Sequence, residues 1–479
     1  MHTKIKIFFA TMNSHRCTNY DEPAEILIAG AGIVGIVLAL ALKKHVGVTA
    51  EVYEKAHAFH DDVGAALGMY PNGLRVLRDI DPCLLKAVRD EGYPYLYRRW
   101  ERHDGTEISE AHEDVLSGGD EELSSIGIRR WRLQKVLFRA AMDADIPIIF
   151  SKATSKVVER SHELIEVFFE DGTSRLTKVL FAADGGKSTV RQIFADPSVK
   201  LEYTGVTCLM GMADCPSQRR GISFPSSLST GCHAVYFPTK ENEQCFQIHV
   251  SISEEDADSG NWGNLSNAVG KEECQKIAEK LQKDGWHERY IEPLYRVTHA
   301  VRIGFCLLTP RLRQWVYGST RRIVLVGDAA HPPVPYVGQG AQMGVEDAGT
   351  IALLMKNLCI DSTGNFDLAY FDEAMKIYER IRIPRTSKIL DCSKHLGGMQ
   401  EKRTNAATCG LEELLIQGEI MMNETLPIMF PGATYNYQVD VRDEIIKALE
   451  RRNDMETFAE LMVEGDFLFN EALVAAGQT

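Results

Sequence analysis

The sequence predicts an α/β protein with a Rossmann-like, doubly wound sheet, interleaved with a smaller antiparallel-sheet domain and followed by a helical C-terminus. Apolar runs at 25–29, 179–183 and 323–326 each end in a turn rich in Gly or Asp and continue into a helical pattern. Between the second and third runs, residues 198–300 change to short alternating strands separated by turns. The 479 residues exceed the length of one typical domain.

The first apolar run opens into Gly30-Ala-Gly32-Ile-Val-Gly35, and a helical pattern follows at 36–44. Gly30 permits the tight turn, Gly32 lets the backbone approach a pyrophosphate, and Gly35 allows close packing of helix on strand. Glu54 ends the next strand, where a carboxylate can accept both ribose hydroxyls of an adenosine. Because an acid disfavours a 2′-phosphate, this unit predicts a site for FAD or NAD rather than NADP.

The second apolar run ends in Asp184-Gly185, and Ser188 begins a helix. Turn residue and N-cap are the commoner roles of Asp and Ser in such positions. A contact to a cofactor is the alternative for Asp184.

The third run leads into Asp328, a proline-rich loop, and Gly338-Gln-Gly340-Ala341 at the start of a long helix. Asp328 therefore lies at the carboxyl edge of the sheet, where open α/β sheets bind ligands. The small residues let a flat ligand approach the helix, whose N-terminal amides favour negative charge. A reduced flavin is flat and anionic at its pyrimidine edge, so we expect Asp328 on its ribityl chain. An ordinary strand–loop–helix unit with a capping aspartate is the alternative.

The order of these motifs resembles the single-component FAD-dependent monooxygenases of the aromatic hydroxylase (p-hydroxybenzoate hydroxylase-like) family over residues 24–395. The resemblance is closest to the salicylate hydroxylase-like branch of fungal secondary metabolism. It implies an FAD-binding domain with a GR2-type sheet, one FAD, and NADPH or NADH as a transient co-substrate. It adds Ala66, where glycine is usual, and Arg130 at the FAD pyrophosphate, and it implies that Asp184 and Gly185 serve FAD and the nicotinamide cofactor.

The activity that the resemblance implies is that of a monooxygenase using NAD(P)H and O2. Such an enzyme hydroxylates, dearomatises or epoxidises a hydrophobic small molecule through a hydroperoxide at flavin C4a, here in secondary-metabolite biosynthesis. The alternatives are a flavin-dependent halogenase or reductase on the same fold, and a catalytically silent flavin-binding protein. The Trp-x-Trp-x-Ile-Pro pattern of the halogenases is missing from the sequence.

Substrate recognition is expected on the strand at 231–238. Alternation places His233, Val235 and Phe237 on one face and Tyr236 on the other. Tyr236 is the candidate catalytic residue, because its hydroxyl could orient or deprotonate a phenol, and simple packing is the alternative. Relatives that dearomatise phenols often carry an arginine near the place of Met210, so a neutral substrate is favoured: a small hydrophobic aromatic, an indole, or a polyketide or terpenoid.

The expected domain division places a disordered extension at 1–23 and the FAD-binding domain at 24–197 and 301–395. A substrate-binding or lid domain occupies 198–300, and a helical region 396–479. Residues 100–125 are expected to form an acidic loop, and Asn423 and Asp440 are expected to cap helices.

Composition excludes several classes of partner. The net charge of −14 argues against nucleic acid and anionic membranes. No apolar run is long enough to span a bilayer. The 11 cysteines contain no Cys-x-x-Cys pair, so we expect reduced thiols, no metal site and a cytoplasmic location. Homodimer formation is left open.

Overall fold

The computed structural model of the protein describes residues 22–60, 64–216, 220–227, 232–251, 262–405 and 438–450. Its strands are β1 (Ala24–Ala29), β2 (Glu51–Tyr53), β3 (Ala66–Met69), β4 (Tyr93–Pro94), β5 (Tyr97–Arg102), β6 (Glu107–His112), β7 (Ile126–Arg129), β8 (Ile148–Ile149), β9 (Thr154–Glu159), β10 (Ile165–Phe169), β11 (Ser174–Ala182), β12 (Lys200–Ala213), β13 (Gly221–Ser226), β14 (His233–Lys240), β15 (Glu243–Ser251), β16 (Gly263–Asn264), β17 (Val297–Thr309), β18 (Val316–Tyr317) and β19 (Ile323–Leu325). Its helices are α1 (Ile33–His45), α2 (Pro71–Ile80), α3 (Pro82–Glu91), α4 (Asp114–Ser117), α5 (Arg130–Asp143), α6 (Thr189–Phe194), α7 (Asn267–Lys283), α8 (Glu288–Tyr295), α9 (Gly340–Leu358), α10 (Phe371–Asn405) and α11 (Val441–Glu450).

The first sheet has the strand order β18-β19-β11-β1-β2-β8, and β10 and β9 extend it from β11. Strands β19, β11, β1, β2 and β8 run parallel. The register pairs Ala182 with both Ala29 and Leu325. The three turns singled out in the sequence therefore leave the sheet side by side at its carboxyl edge, and the predicted Rossmann-like α/β class is confirmed.

Helix α1 packs against this sheet in the centre of the protein. Its sequence is apolar all round until Lys43, a composition typical of a helix buried on every side. Residues 35–42 are all buried, and α1 contacts α9 and α5 as well as the sheet. This packing holds the start of α1 and the start of α9 close to each other.

The second sheet has the order β16-β17-β12-β15-β14-β13-β5-β6 and is antiparallel except where β13 runs parallel to β5. Helices α7 and α8 cover one face of it, and the other face is turned towards the carboxyl edge of the first sheet. A small third sheet, β3-β7-β4, lies between the two parts.

The structure corrects one expectation about the first half of the chain. The sequence predicts an acidic loop at 100–125. In the structure, residues 97–112 form the β5–β6 hairpin of the second sheet. Two of the charged side chains of β5 form ion pairs there, Arg98 with Glu113 and Arg99 with Glu110. A strand whose charged residues are paired in this way lacks the alternation of apolar and polar residues by which strands are recognised in a sequence.

The C-terminal region is described only in part. Helix α10 continues to residue 405, and α11 begins after Asp440, whose carboxylate accepts a hydrogen bond from the Arg442 amide at 2.9 Å. Asn423 lies outside the described residues. Helix α11 packs against α9 and α10. Among the described helices, none is long and apolar enough to cross a membrane.

Candidate active site

A cavity of about 450 Å³ joins the carboxyl edge of the first sheet to the open face of the second sheet. A larger groove of about 760 Å³ lies on the outer surface between α1, α3 and α5, and it contains none of the predicted site residues. The predicted cofactor residues that line the 450 Å³ cavity are Gly32, Ala66, Arg130, Gly185, Asp328, Gly338, Gly340 and Ala341.

The glycines of the first turn have distinct surroundings. A Cβ at Gly30 would lie 2.5 Å from the Ala183 carbonyl oxygen, and one at Gly35 would lie 2.0 Å from the Gly30 oxygen. Gly30 also has φ of +101°, a conformation that favours glycine. At Gly32, by contrast, no described atom outside the residue and its two chain neighbours would lie within 4 Å of a Cβ. Backbone atoms therefore pack closely against Gly30 and Gly35, whereas Gly32 borders the open cavity. This is the arrangement that a bound pyrophosphate needs.

Glu54 follows β2 and stands beside this turn. Its carboxylate accepts hydrogen bonds from the amides of Ala31 at 2.8 Å and Ala56 at 2.9 Å. Each carboxylate oxygen can accept a further bond, so the contact to a ribose stays a prediction.

Replacing Glu54 with alanine should weaken FAD binding at least tenfold. The change would remove the predicted charge-assisted bonds to the ribose hydroxyls, each worth about 1.5–3 kcal/mol. Flavin retained after dialysis is the measurement, with the melting temperature recorded in parallel. Glu54→Gln is the control, because it keeps an acceptor for the neighbouring amides and should lose less flavin. Wild-type flavin retention in Glu54→Ala would remove Glu54 from the adenosine site.

Asp184 and Gly185 occupy different positions relative to the cavity. Asp184 Oδ2 accepts hydrogen bonds from the amides of Thr189 at 2.8 Å and Val190 at 3.3 Å, so it caps α6. The Ser188 hydroxyl accepts a bond from the Arg191 amide, as an N-cap does. Asp184 Oδ1 is buried and has no partner among the described residues, whereas Gly185 lines the cavity. A cofactor contact by Asp184 stays a prediction beside this capping role.

Asp328 lies in the 3₁₀ turn Gly327–Ala329, directly after β19. Its carboxylate is accessible from the cavity, yet protein surrounds it at longer range, and this burial raises its pKa above the usual value. Arg191 braces the same turn, because its guanidinium donates to the Ala329 carbonyl at 2.8 Å. Asp328 is therefore held at the cavity by a rigid turn.

A buried ion cluster lies beneath the loop at 327–340. Arg382 donates to Glu346 at 2.6 Å and to Asp347 at 2.7 Å, and Arg385 donates to Glu346 at 2.6 Å. Burial alone would raise the pKa of Glu346, but the two arginines outweigh burial and lower it to about 2. Asp347 Oδ2 also lies 2.6 Å from His331 Nε2, so the cluster holds the loop itself.

The far end of the cavity is lined by the second sheet. His233, Val235 and Phe237 of β14 face it together, as strand alternation predicted. His233 Nδ1 lies 2.9 Å from the Ser226 hydroxyl. Met210 also lines this end, which is mostly apolar.

Tyr236 is placed on the opposite face of β14. Its hydroxyl donates to the Tyr290 carbonyl oxygen of α8 at 2.7 Å, and its ring packs among apolar residues beneath α7 and α8. It does not line the cavity. This placement favours the packing alternative over a catalytic role for Tyr236, since alternation turns its side chain away from the cavity.

Replacing Tyr236 with phenylalanine should therefore leave product formation within about twofold of wild type. The lost buried hydrogen bond should lower the free energy of unfolding by about 1–3 kcal/mol. Melting temperature and product yield, measured on the same preparation, separate the two effects. A stable variant that reduces flavin normally but makes no product would return Tyr236 to catalysis.

Several cavity residues were not predicted from the sequence. Arg98, Gln247 and His249 line the cavity. The guanidinium carbon of Arg98 lies 4.8 Å from the centre of the Tyr70 ring. Their strands carry no glycine motif. For Gln247 and His249, the signal that could have found them is their alternation with the apolar residues Phe246, Ile248 and Val250 along β15. Strand β5 is charged at most positions, so its sequence gives no such signal for Arg98.

Comparison with known proteins settles the family. A family model described as "FAD binding domain" matches residues 23–381. The chain belongs to this FAD-binding family. Its cofactor is accordingly FAD, and the residues that line the cavity fit that group: an open glycine turn, Arg130 along the cavity and Asp328 at the sheet edge.

Individual relatives extend the comparison. The chain is 27% identical over 383 residues to 3-amino-4-hydroxybenzoate 2-monooxygenase of Streptomyces cremeus, covering 77% of this chain and 86% of that protein. It is 26% identical over 422 residues to the FAD-dependent monooxygenase eupB of Phoma sp, covering 78% and 88%. A solved salicylate hydroxylase substrate complex superposes with a TM-score of 0.66 at 19% identity, covering 89% of this chain and 98% of the other, and shows the shared fold.

Proposed function

We propose that the protein is an FAD-dependent monooxygenase that uses NADPH or NADH and O2 to insert one oxygen atom into a hydrophobic small molecule. The observation that carries the proposal is the single cavity that runs from the dinucleotide turn to an apolar chamber on the second sheet. The names of both sequence relatives are those of monooxygenases, and this favours the proposal over a halogenase, a reductase or a silent flavin-binding protein.

FAD supplies the redox chemistry when it is bound, namely hydride acceptance from reduced nicotinamide and activation of O2. The protein's part is to hold the dinucleotide and keep the reacting end dry. We assign the pyrophosphate to Gly32 and Arg130, the adenosine ribose to Glu54 and the ribityl chain to Asp328.

The chamber on the second sheet would exclude water from the reaction. Phe224, Val235, Phe237 and Val301 supply apolar walls around it. His233, fixed by its contact to Ser226, is one polar group of the chamber that we assign to orienting the substrate. Aromatic, indole, polyketide and terpenoid skeletons suit such walls, and a place in secondary metabolism fits the fungal relative.

The domain division enters the proposal with one change. The segments 24–197 and 301–395 would bind FAD, and 198–300 would bind substrate together with the hairpin at 97–112. No chemistry is assigned to residues 1–23 or to residues 396–479. A cytoplasmic location is supported by the nine described cysteines, none of which forms a disulfide.

The test is NADPH and NADH oxidation by the FAD-loaded protein against a panel of phenols, indoles and prenylated alkenes. We expect at least one compound to accelerate oxidation and to gain oxygen. The Asp328→Ala variant, prepared in parallel, should lose this stimulation. A panel in which no compound changes the rate or gains oxygen would favour the silent flavoprotein.

A further inference from the structure

His249 is a polar residue in the apolar wall of the chamber. It lies on β15, opposite His233 on β14. Its ring packs edge-on against Phe305 and Tyr336, with centroid distances of 5.1 and 5.7 Å. It is only 5% exposed, and neither ring nitrogen has a hydrogen-bond partner among the described residues. Buried polar groups without a partner are uncommon, so a partner beyond the described residues is indicated, and the cavity that His249 lines can supply one as a bound ligand.

The protonation state of His249 limits what that partner can be. Burial lowers its pKa to about 3, so the imidazole is neutral at physiological pH. A neutral imidazole has one N–H donor and one acceptor nitrogen. It therefore suits an uncharged hydroxyl, carbonyl or ring N–H, and it offers no positive charge to an anion.

The cations of the described lining do not change this conclusion. Arg98 is paired with Glu113 at 2.7 Å, and both side chains are at most 2% exposed. Arg130 stands beside Gly64, at the nucleotide end of the cavity. A substrate carboxylate at His249 would thus be buried without an opposite charge, which is strongly unfavourable.

We propose that His249 selects the substrate by one hydrogen bond to a neutral polar atom on an otherwise apolar aromatic molecule, and that a carboxylate at that position is rejected. This rests on the proposed function, because it takes the chamber as the substrate site. It narrows the substrate class to neutral hydroxyaromatic, carbonyl-bearing or N–H-bearing molecules.

The experiment uses the FAD-loaded protein and three matched probes: 2-naphthol, naphthalene and 2-naphthoate. Dissociation constants are measured at neutral pH by titration calorimetry, which does not depend on turnover. Wild type should bind 2-naphthol about tenfold more tightly than naphthalene, the size of one net hydrogen bond, and should bind 2-naphthoate most weakly.

Variants at position 249 separate the effect of hydrogen bonding by the ring nitrogens from the effect of packing by the ring. His249→Phe keeps the edge contacts to Phe305 and Tyr336, so naphthalene binding should change less than about twofold while the preference for 2-naphthol disappears. His249→Asn keeps a donor and an acceptor and should recover part of the preference. His45→Phe is the control, because burial lowers the pKa of His45 to about 4 but this residue lies at the end of α1, outside the cavity.

Met210→Arg tests the charge argument separately, since Met210 lines the same chamber. The added guanidinium should weaken naphthalene and 2-naphthol binding and tighten 2-naphthoate binding about tenfold or more. Flavin content and melting temperature are recorded for every variant. If His249→Phe loses its FAD, His249→Leu takes its place, and the wild-type ranking of the probes still decides.

The proposal is overturned if wild type binds 2-naphthoate as tightly as 2-naphthol, or if His249→Phe keeps the tenfold preference. The second result is the one expected if His249 only holds a water molecule. If the His249 prediction fails but the protein still inserts oxygen in a substrate-dependent way, the proposed function is retained. A preference that depends on His249 in a protein that inserts no oxygen would support the binding site and reject the proposed function.

Discussion

Replacing Arg382 with methionine is expected to lower the free energy of unfolding by about 3–5 kcal/mol. Arg382 is fully buried and contacts both Glu346 and Asp347, so its removal leaves two buried carboxylates with only part of their compensation. Urea unfolding with the melting temperature is the measurement. Because Asp347 also contacts His331, we expect the variant to bind FAD less tightly as well.

An exposed ion pair provides the control for Arg382. Arg296 and Glu292 form an i,i+4 pair at 2.8 Å with side-chain exposures of 56% and 36%. Arg296→Met should therefore cost about 0–1 kcal/mol. Equal losses in the two variants would mean that the buried cluster contributes no more than a surface pair.

The same cluster predicts how stability depends on pH. The pKa of Glu346 is lowered from 4.5 to about 2 in the folded protein, so its contribution is fully present above pH 4.5. That contribution is lost as the pH falls from about 4.5 through about 2. In Arg382→Met, the free energy of unfolding should fall less steeply over this pH range. The reason is that the pKa of Glu346 is lowered less when one of the two arginines is missing.

Replacing Asp328 with alanine should reduce FAD affinity at least tenfold, and more than Asp184→Ala does. Asp328 lines the cavity at the sheet edge, whereas Asp184 Oδ2 is engaged by the amides of α6. Loss of a charge-assisted bond to the ribityl chain is worth about 1.5–3 kcal/mol of binding. Loss of the α6 cap should instead cost about 1 kcal/mol of folding stability.

Flavin content, NAD(P)H oxidation and melting temperature are compared in both variants. Asp328→Asn serves as the conservative control, since it keeps an acceptor oxygen without the charge and should retain more flavin than Asp328→Ala. If Asp184→Ala loses more flavin than Asp328→Ala, the roles assigned to the two carboxylates are reversed.

The cofactor end of the cavity could be predicted because its signals are local. A strand, a glycine turn and a helix are consecutive in the sequence, and parallel pairing then brings Gly30, Asp184 and Asp328 to one edge. Each motif needs only its own few residues to be recognised. The first sheet follows from the same local patterns.

The substrate end could not be predicted in the same way. Strand alternation separated His233 from Tyr236, but only the packing of α7 and α8 decides which face of β14 is covered. The hairpin at 97–112 reaches the second sheet by pairing with β13, more than 100 residues away. Arg382 is charged and so resembles a surface residue until α10 is placed against α9.

The most direct test of the proposed activity follows the oxygen atoms. A compound that stimulates NAD(P)H oxidation is incubated with the FAD-loaded protein under 18O2, and the product is analysed by mass spectrometry. We expect one 18O atom in each product molecule and one NAD(P)H oxidised for each product formed. A product whose new oxygen is unlabelled would have taken that oxygen from water. That result, or an oxidised product with no added oxygen, would contradict the assignment as a monooxygenase.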